Sequence, residues 1–197
     1  IKWVIGVDEI ASCIFSLSQV IKPATTVCLT QNKFYHLQYS YSMIQINNKY
    51  LLFCVKCFYG PLLLGYLMRT HSHFWYIWRT GFLLNREMEF RFLKKKKRKI
   101  VCFFVGDDIR SLKLTLAHAN QLKRDSHASY QYVSNPNALS KKYDNEKKVV
   151  AKIADNYADC IFSVAIEQKS YLKSRQHFLQ IVYPKVKMHK QLTKFDN

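Results

Sequence analysis

The run Ile100 to Val105, six apolar residues with no polar alternation, ends abruptly in Gly106-Asp107-Asp108-Ile109-Arg110. A strand that is apolar on both sides must be covered on both sides, which restricts the chain to a layered α/β arrangement. The same grammar recurs along the sequence. Trp3, Val4 and Ile5 read as a short buried strand that Gly6 breaks, and Asp8 and Glu9 then supply acids to the first turn of a helix carrying Ile10, Ile14, Leu17 and Ile21 at helical spacing. Pro23 ends that helix, and Thr25 to Leu29 forms the next strand. Further along, Phe74 to Trp78, Cys160 to Val164 and Gln180 to Tyr183 read as strands. Pro61 to Arg69, Leu84 to Lys95, Leu112 to Lys123 and Glu146 to Tyr157 read as helices. Strands separated by helices predict a doubly wound, mainly parallel Rossmann-like sheet with helices on both faces, built as one domain over residues 1–184 with a basic tail or hinge remnant over 185–197. Lys33 to Tyr59 follows no clear period.

The chain has 197 residues, 49% of them hydrophobic, enough for one packed core. Its 31 Lys and Arg against 13 Asp and Glu give a formal charge of +18 and call for an anionic partner: a phosphate-bearing ligand, a nucleic acid or an anionic membrane surface. The densest run is Lys94, Lys95, Lys96, Lys97, Arg98 and Lys99, with further clusters over Lys141 to Lys152 and Lys185 to Lys194. A solvated helix end accounts for such a run equally well. Six irregularly spaced cysteines do not form a disulfide framework and suit a reducing, cytoplasmic setting. The opening IKWVIG has neither a charged n-region nor an initiating Met, so a fragment without a secretory signal is expected. Leu51 to Met68 comes close to the length of a membrane span, but Lys56 and the Gly60-Pro61 pair count against one.

Ligands of open parallel sheets sit beyond the carboxyl ends of the strands. Gly106, Asp107, Asp108 and Arg110 lie there: glycine allows close backbone approach, carboxylates accept sugar hydroxyls or a proton, and a guanidinium grips phosphate. The competing expectation is that one aspartate caps the following helix and pairs with Arg110. Gly6 and Asp8 occupy the equivalent place after the first strand. Cys54 and Cys57 with His71 and His73 hint at zinc, but the H-x-H spacing is short and cysteines at i and i+3 of a strand face apart, so no metal is expected. Neither a glycine-rich dinucleotide fingerprint, a P-loop nor a G-x-S-x-G elbow occurs, and no cofactor is implied.

Three segments together resemble the N-terminal, acceptor-side domain of GT-B-type glycosyltransferases of the bacterial surface-polysaccharide kind. They are KWVIGVDEIASCIFSLSQVI, FWYIWRTGFLLNREMEFRFLKKKKRKIVCFFVGDDIRS and IADNYADCIFSVAIEQKSYL. The most specific elements are V-G-D-D-I-R after a strand and Y-A-D-C-I-F-S at a helix-to-strand passage. The resemblance implies a glycan or lipid-linked acceptor bound at a cleft by Gly6, Asp8, Gly106, Asp107 and Arg110, with Asp108 as the catalytic group. The nucleotide-sugar would be held by a second domain that has no counterpart in these residues, so the chain alone is expected to be inactive. Lys94 to Lys99 would meet an anionic membrane surface, making the protein peripheral to the membrane. Two other readings stand beside this one: a basic α/β module that binds nucleic acid, and a degenerate non-catalytic remnant.

Overall fold

The computed structural model describes residues 1–29, 37–43, 49–77, 79–125, 136–164, 170–174 and 176–179. In chain order the elements are β1 (Trp3–Val7), α1 (Cys13–Val20), β2 (Ala24–Cys28), β3 (Tyr41–Ser42), α2 (Lys49–Thr70), β4 (His73–Ile77), α3 (Arg86–Lys95), β5 (Lys99–Phe104) and α4 (Leu112–Gln121). A short 3-10 turn (Pro136–Leu139), α5 (Lys141–Tyr157), β6 (Cys160–Ser163) and β7 (His177–Phe178) follow. The seven strands form one sheet in the order β3-β2-β1-β4-β5-β6-β7, every neighbouring pair parallel. This is the α/β, Rossmann-like architecture that the sequence predicts.

The central strands are buried on both faces with a period of two. On β4 and β5, Phe74, Tyr76, Ile100, Cys102 and Phe104 enter the larger core with Leu63, Leu64 and Leu67 of α2, Phe90 and Leu93 of α3, and Ala151 and Ala154 of α5. The alternate residues Trp75, Ile77, Val101 and Phe103 enter the opposite core, against Cys13 and Ile14 of α1. A row of rings crosses that second face, from Trp3 through Trp75 to Phe162, whose ring stacks on Trp75 at 5.2 Å between centroids. Each fully buried large side chain of this kind contributes roughly 1.5–3 kcal/mol.

Several boundaries differ from the sequence reading. Gly6 does not break β1; it pairs with Tyr76 inside the strand. α1 starts only at Cys13, and Glu9 serves it from outside: its carboxylate accepts the Ile14 and Phe15 N–H groups at 3.1 and 3.3 Å, satisfying donors that the first turn leaves open. α2 begins at Lys49 and runs through Pro61, so the expected strand-like stretch before Cys57 is helical. Pro61 is exposed on this helix, and its missing N–H deprives the Cys57 carbonyl of the usual helical donor. The short β3 was not anticipated, and the strand expected at Gln180 to Tyr183 lies outside the described residues, as do Trp78 and the tail over 185–197. Among the described residues no helix is long and apolar enough to cross a membrane.

Gly6 sets the spacing of β1 and β2. A methyl group at this position would stand 2.6 Å from the Val27 carbonyl oxygen, a backbone atom that cannot rotate away. Gly6→Ala is therefore expected to force β1 from β2 and to cost about 2 kcal/mol, within the range for overpacked cores. Urea denaturation should show a lower midpoint with an unchanged slope. An unshifted midpoint would contradict this close packing.

Candidate functional site

The chain builds β1, β2 and β3 in one direction and then returns to place β4 on the other side of β1. The switch point is therefore the gap between the carboxyl ends of β1 and β4, which are in register to Val7 and Ile77. The two loops that leave there are tied together, because the Thr80 hydroxyl donates to Asp8 Oδ2 at 2.7 Å. Beside this tie lies a cavity of about 330 Å³, with Val7 and Leu29 at its floor, Arg79 to Leu84 and Arg86 along one wall, and Glu146 and Val150 of α5 opposite. It opens into a shallower groove between α3 and α5 that shares Arg79, Leu84, Arg86, Glu146 and Val150.

A buried carboxylate holds the cavity loop in shape. Glu89, with no exposed surface, accepts the Tyr76 phenol through Oε1 and the Leu83 N–H through Oε2 at 2.8 Å. Burial raises its pKa, and those hydrogen bonds together with nearby Arg86 work against the rise. Burial, reinforced by Glu89, likewise drives the Tyr76 phenol well above its ordinary value. Gly81 is required at this turn because a methyl group there would sit 2.4 Å from Glu89 Oε2. Asn85 then starts α3 by accepting the Met88 N–H at 2.9 Å. Arg86 lies over the Phe90 ring at 4.8 Å and donates to the Thr80 carbonyl at 3.2 Å and to Cys102 Sγ at 3.6 Å, so it is a fixed part of the wall.

Arg79 differs from Arg86. Its guanidinium carbon lies 5.6 Å over the Tyr143 ring, and among the described residues neither Arg79 nor Glu146 takes part in an ion pair. A cation, a carboxylate and the Thr80 hydroxyl thus border one cavity whose remaining lining is largely apolar. Such a set can pair with an anionic group, hydrogen-bond to hydroxyls and pack against a sugar ring or a short apolar chain.

The residues singled out from sequence fall into separate roles. Asp8 reaches the site as the partner of Thr80. Gly6 is buried in the sheet and lines no part of the cavity. Gly106 has φ 131, a backbone conformation that L side chains rarely adopt, and turns the chain out of β5. Asp107 faces α5: Lys147 Nζ donates to it at 2.7 Å and the Tyr143 hydroxyl at 3.2 Å. Asp108, expected as the catalytic group, is fully buried and pins its own loop by accepting the Val105 and Ile109 N–H groups at 2.9 and 3.1 Å. It does not cap α4, a role that belongs to Ser111. Arg110 forms no ion pair with either aspartate; its carbonyl accepts from Lys147 at 2.7 Å, and its Nε is buried without a hydrogen-bond partner. Cys54 and Cys57 lie on α2, and the described residues contain no cluster of three or more His, Cys, Asp or Glu placed to hold a metal. All six cysteines are free thiols.

Comparison with protein-family models, with curated proteins and with solved structures finds no match to this chain. The site therefore rests on its own geometry. Arg79, Thr80, Arg86, Glu89 and Glu146 escaped the sequence reading, although the T-G-F-L-L-N-R-E passage after a strand carries a usable signal: a glycine turn followed by an Asn helix cap.

Burial pushes the Asp108 carboxyl from an ordinary 3.8 up to about 6, with its backbone hydrogen bonds and nearby Arg86 opposing the rise. The folded protein holds this proton to higher pH than the unfolded chain does. The resulting stabilisation is complete below pH 3.8 and is lost as the pH rises through about 6. Asp108→Asn cannot titrate. The stability difference, wild type minus variant, is expected to decline across that window by up to about 3 kcal/mol. Chemical denaturation of both proteins over that pH range checks this, and a constant difference would contradict it.

Proposed function

We propose that this chain is the acceptor-binding domain of a GT-B-type glycosyltransferase, and that a hydroxyl-rich, anion-bearing acceptor seats in the cavity between the carboxyl ends of β1 and β4. The observation that carries the reading is the convergence at this switch point of Arg79, the Thr80 hydroxyl and the Glu146 carboxylate around a cavity about the size of a small ligand. The sequence resemblance supports the acceptor-domain reading but not this particular seat: of the residues it points to, only Asp8 touches the cavity loop, through Thr80. In this reading Arg79 pairs with a phosphate or carboxylate of the acceptor, and Glu146 accepts from its hydroxyl groups. Thr80, whose proton is committed to Asp8, offers its oxygen lone pairs. Arg86 and Glu89 position these groups. Asp107 and Asp108 maintain the neighbouring loop.

Calorimetric titration with a hexose 1-phosphate, a hexuronic acid and the neutral hexose tests the proposal. The anionic sugars are expected to bind more tightly than the neutral one, and Arg79→Ala to weaken them by about tenfold or more, as loss of a charge-assisted hydrogen bond does. Binding unchanged by both Arg79→Ala and Glu146→Gln would contradict the site. Tighter binding of a single-stranded oligonucleotide than of any sugar would favour the nucleic-acid reading. The described residues contain a single parallel sheet, and the resemblance assigns the nucleotide-sugar to a second domain. These 197 residues alone are therefore expected to transfer no sugar from a panel of nucleotide-sugars, and turnover would contradict that division of labour.

A further inference from the structure

α2 is apolar on two sides. Leu63, Leu64, Leu67 and Met68 enter the core, as the inner face of a helix on a sheet should. The outer face is equally apolar: Tyr50, Phe53, Phe58, Leu62 and Tyr66 are 86%, 55%, 72%, 73% and 54% exposed. Surface helices of water-soluble domains carry polar residues there, and a contiguous apolar stripe of this length marks a contact surface.

The surroundings of the stripe select its occupant. α2 ends at Thr70 on the edge of the sheet where the strands begin, and the exposed Arg69 sits in its last turn. Arg98 donates to the Met68 carbonyl and so fastens the basic turn between α3 and β5 against that end of the helix. Lys2 and Lys22 flank the same edge. Its acid, Asp159, is taken up by Lys94 and Lys99 at 3.0 Å each, leaving Lys95, Lys96 and Lys97 exposed without an ion pair among the described residues. An apolar stripe that runs into a cationic edge is complementary to a surface that is anionic outside and apolar beneath. A second copy of the chain would set +18 against +18.

We propose that the outer face of α2 and the basic edge beside it together dock on an anionic lipid bilayer, with α2 lying in the plane of the interface. Phe53, Phe58 and Leu62 enter the acyl boundary, while Tyr50, at the start of the stripe, places its hydroxyl among the headgroups; the Tyr66 ring, held edge-on by Tyr41, closes the other end. The lysines supply the second signal that stable anchoring requires, each adding roughly 1 kcal/mol near the surface. No crossing is involved, consistent with the failure of every described helix to qualify as a span. This proposal does not depend on the sugar site, since neither the stripe residues nor the lysines line that cavity.

Co-sedimentation of the full chain with vesicles of phosphatidylcholine, with and without phosphatidylglycerol, provides the test. Binding to the anionic vesicles is expected, weakened but not abolished by salt. Phe58→Ser/Leu62→Ser and Lys95→Glu/Lys96→Glu should each lower partitioning by about tenfold or more. All four positions are exposed, so circular dichroism and thermal unfolding should match wild type. Phe58→Trp should shift its fluorescence to the blue on anionic vesicles. Wild-type partitioning by the Phe58→Ser/Leu62→Ser variant would overturn the proposal by reducing attachment to charge alone. Absence of vesicle binding would also overturn it, as would a dimer in light scattering that the same variant dissolves, since the stripe would then be a self-association surface.

Discussion

The parallel pairing of β1 with β4 governs what this molecule can do. Five residues of each strand align, Trp3 with His73 through Val7 with Ile77, at the point where the direction of chain progression reverses. Parallel strands carry their loops out at the same edge, and at a reversal those loops diverge. The cavity is the direct result: one loop leaves toward α1, the other toward α3, and Leu29 and α5 border the space between. Everything that shapes the site serves to hold this divergence open at a fixed width. Thr80 binds Asp8 across it, and Glu89 anchors the backbone of the longer loop from below.

Four of the 13 acids gather in two adjacent pairs. Asp8, Glu9, Asp107 and Asp108 all lie just beyond the carboxyl ends of β1 and β5, and each meets donors that the fold presents there. Glu9 meets the open N–H groups of α1, Asp108 those of its own turn, Asp107 a buried lysine and Asp8 a hydroxyl. The cations of the α3–β5 turn lie at the other edge. The acids at this edge are thus spent on the fold's own donors, while Lys95, Lys96 and Lys97 stay exposed at the other edge.

Much of the architecture was legible in the apolar runs. β4, β5 and β6 declare themselves because fully buried parallel strands need continuous apolar residues. α2 was harder to read because its outer face is as apolar as its inner one, which erases the helical period, and Pro61 suggests a start where the chain is already helical. What the sequence could not show of the strand-end aspartates is that Asp108 faces its own backbone and Asp107 a lysine of α5. Glu89 was invisible for the opposite reason. In R-E-M-E-F-R-F a glutamate looks like part of a solvated face, and only the fold reveals that it lies under the loop with Tyr76.

Amide chemical shifts report most directly on whether the β1–β4 switch point is the ligand edge. Titration of the isotope-labelled protein with a hexose 1-phosphate should move the resonances of Thr80, Gly81, Leu83 and Asp8, while those of Lys95 to Lys97 stay in place. Shifts confined to the lysine turn, or to Gly106 through Arg110 with residues 79–84 unmoved, would contradict the account.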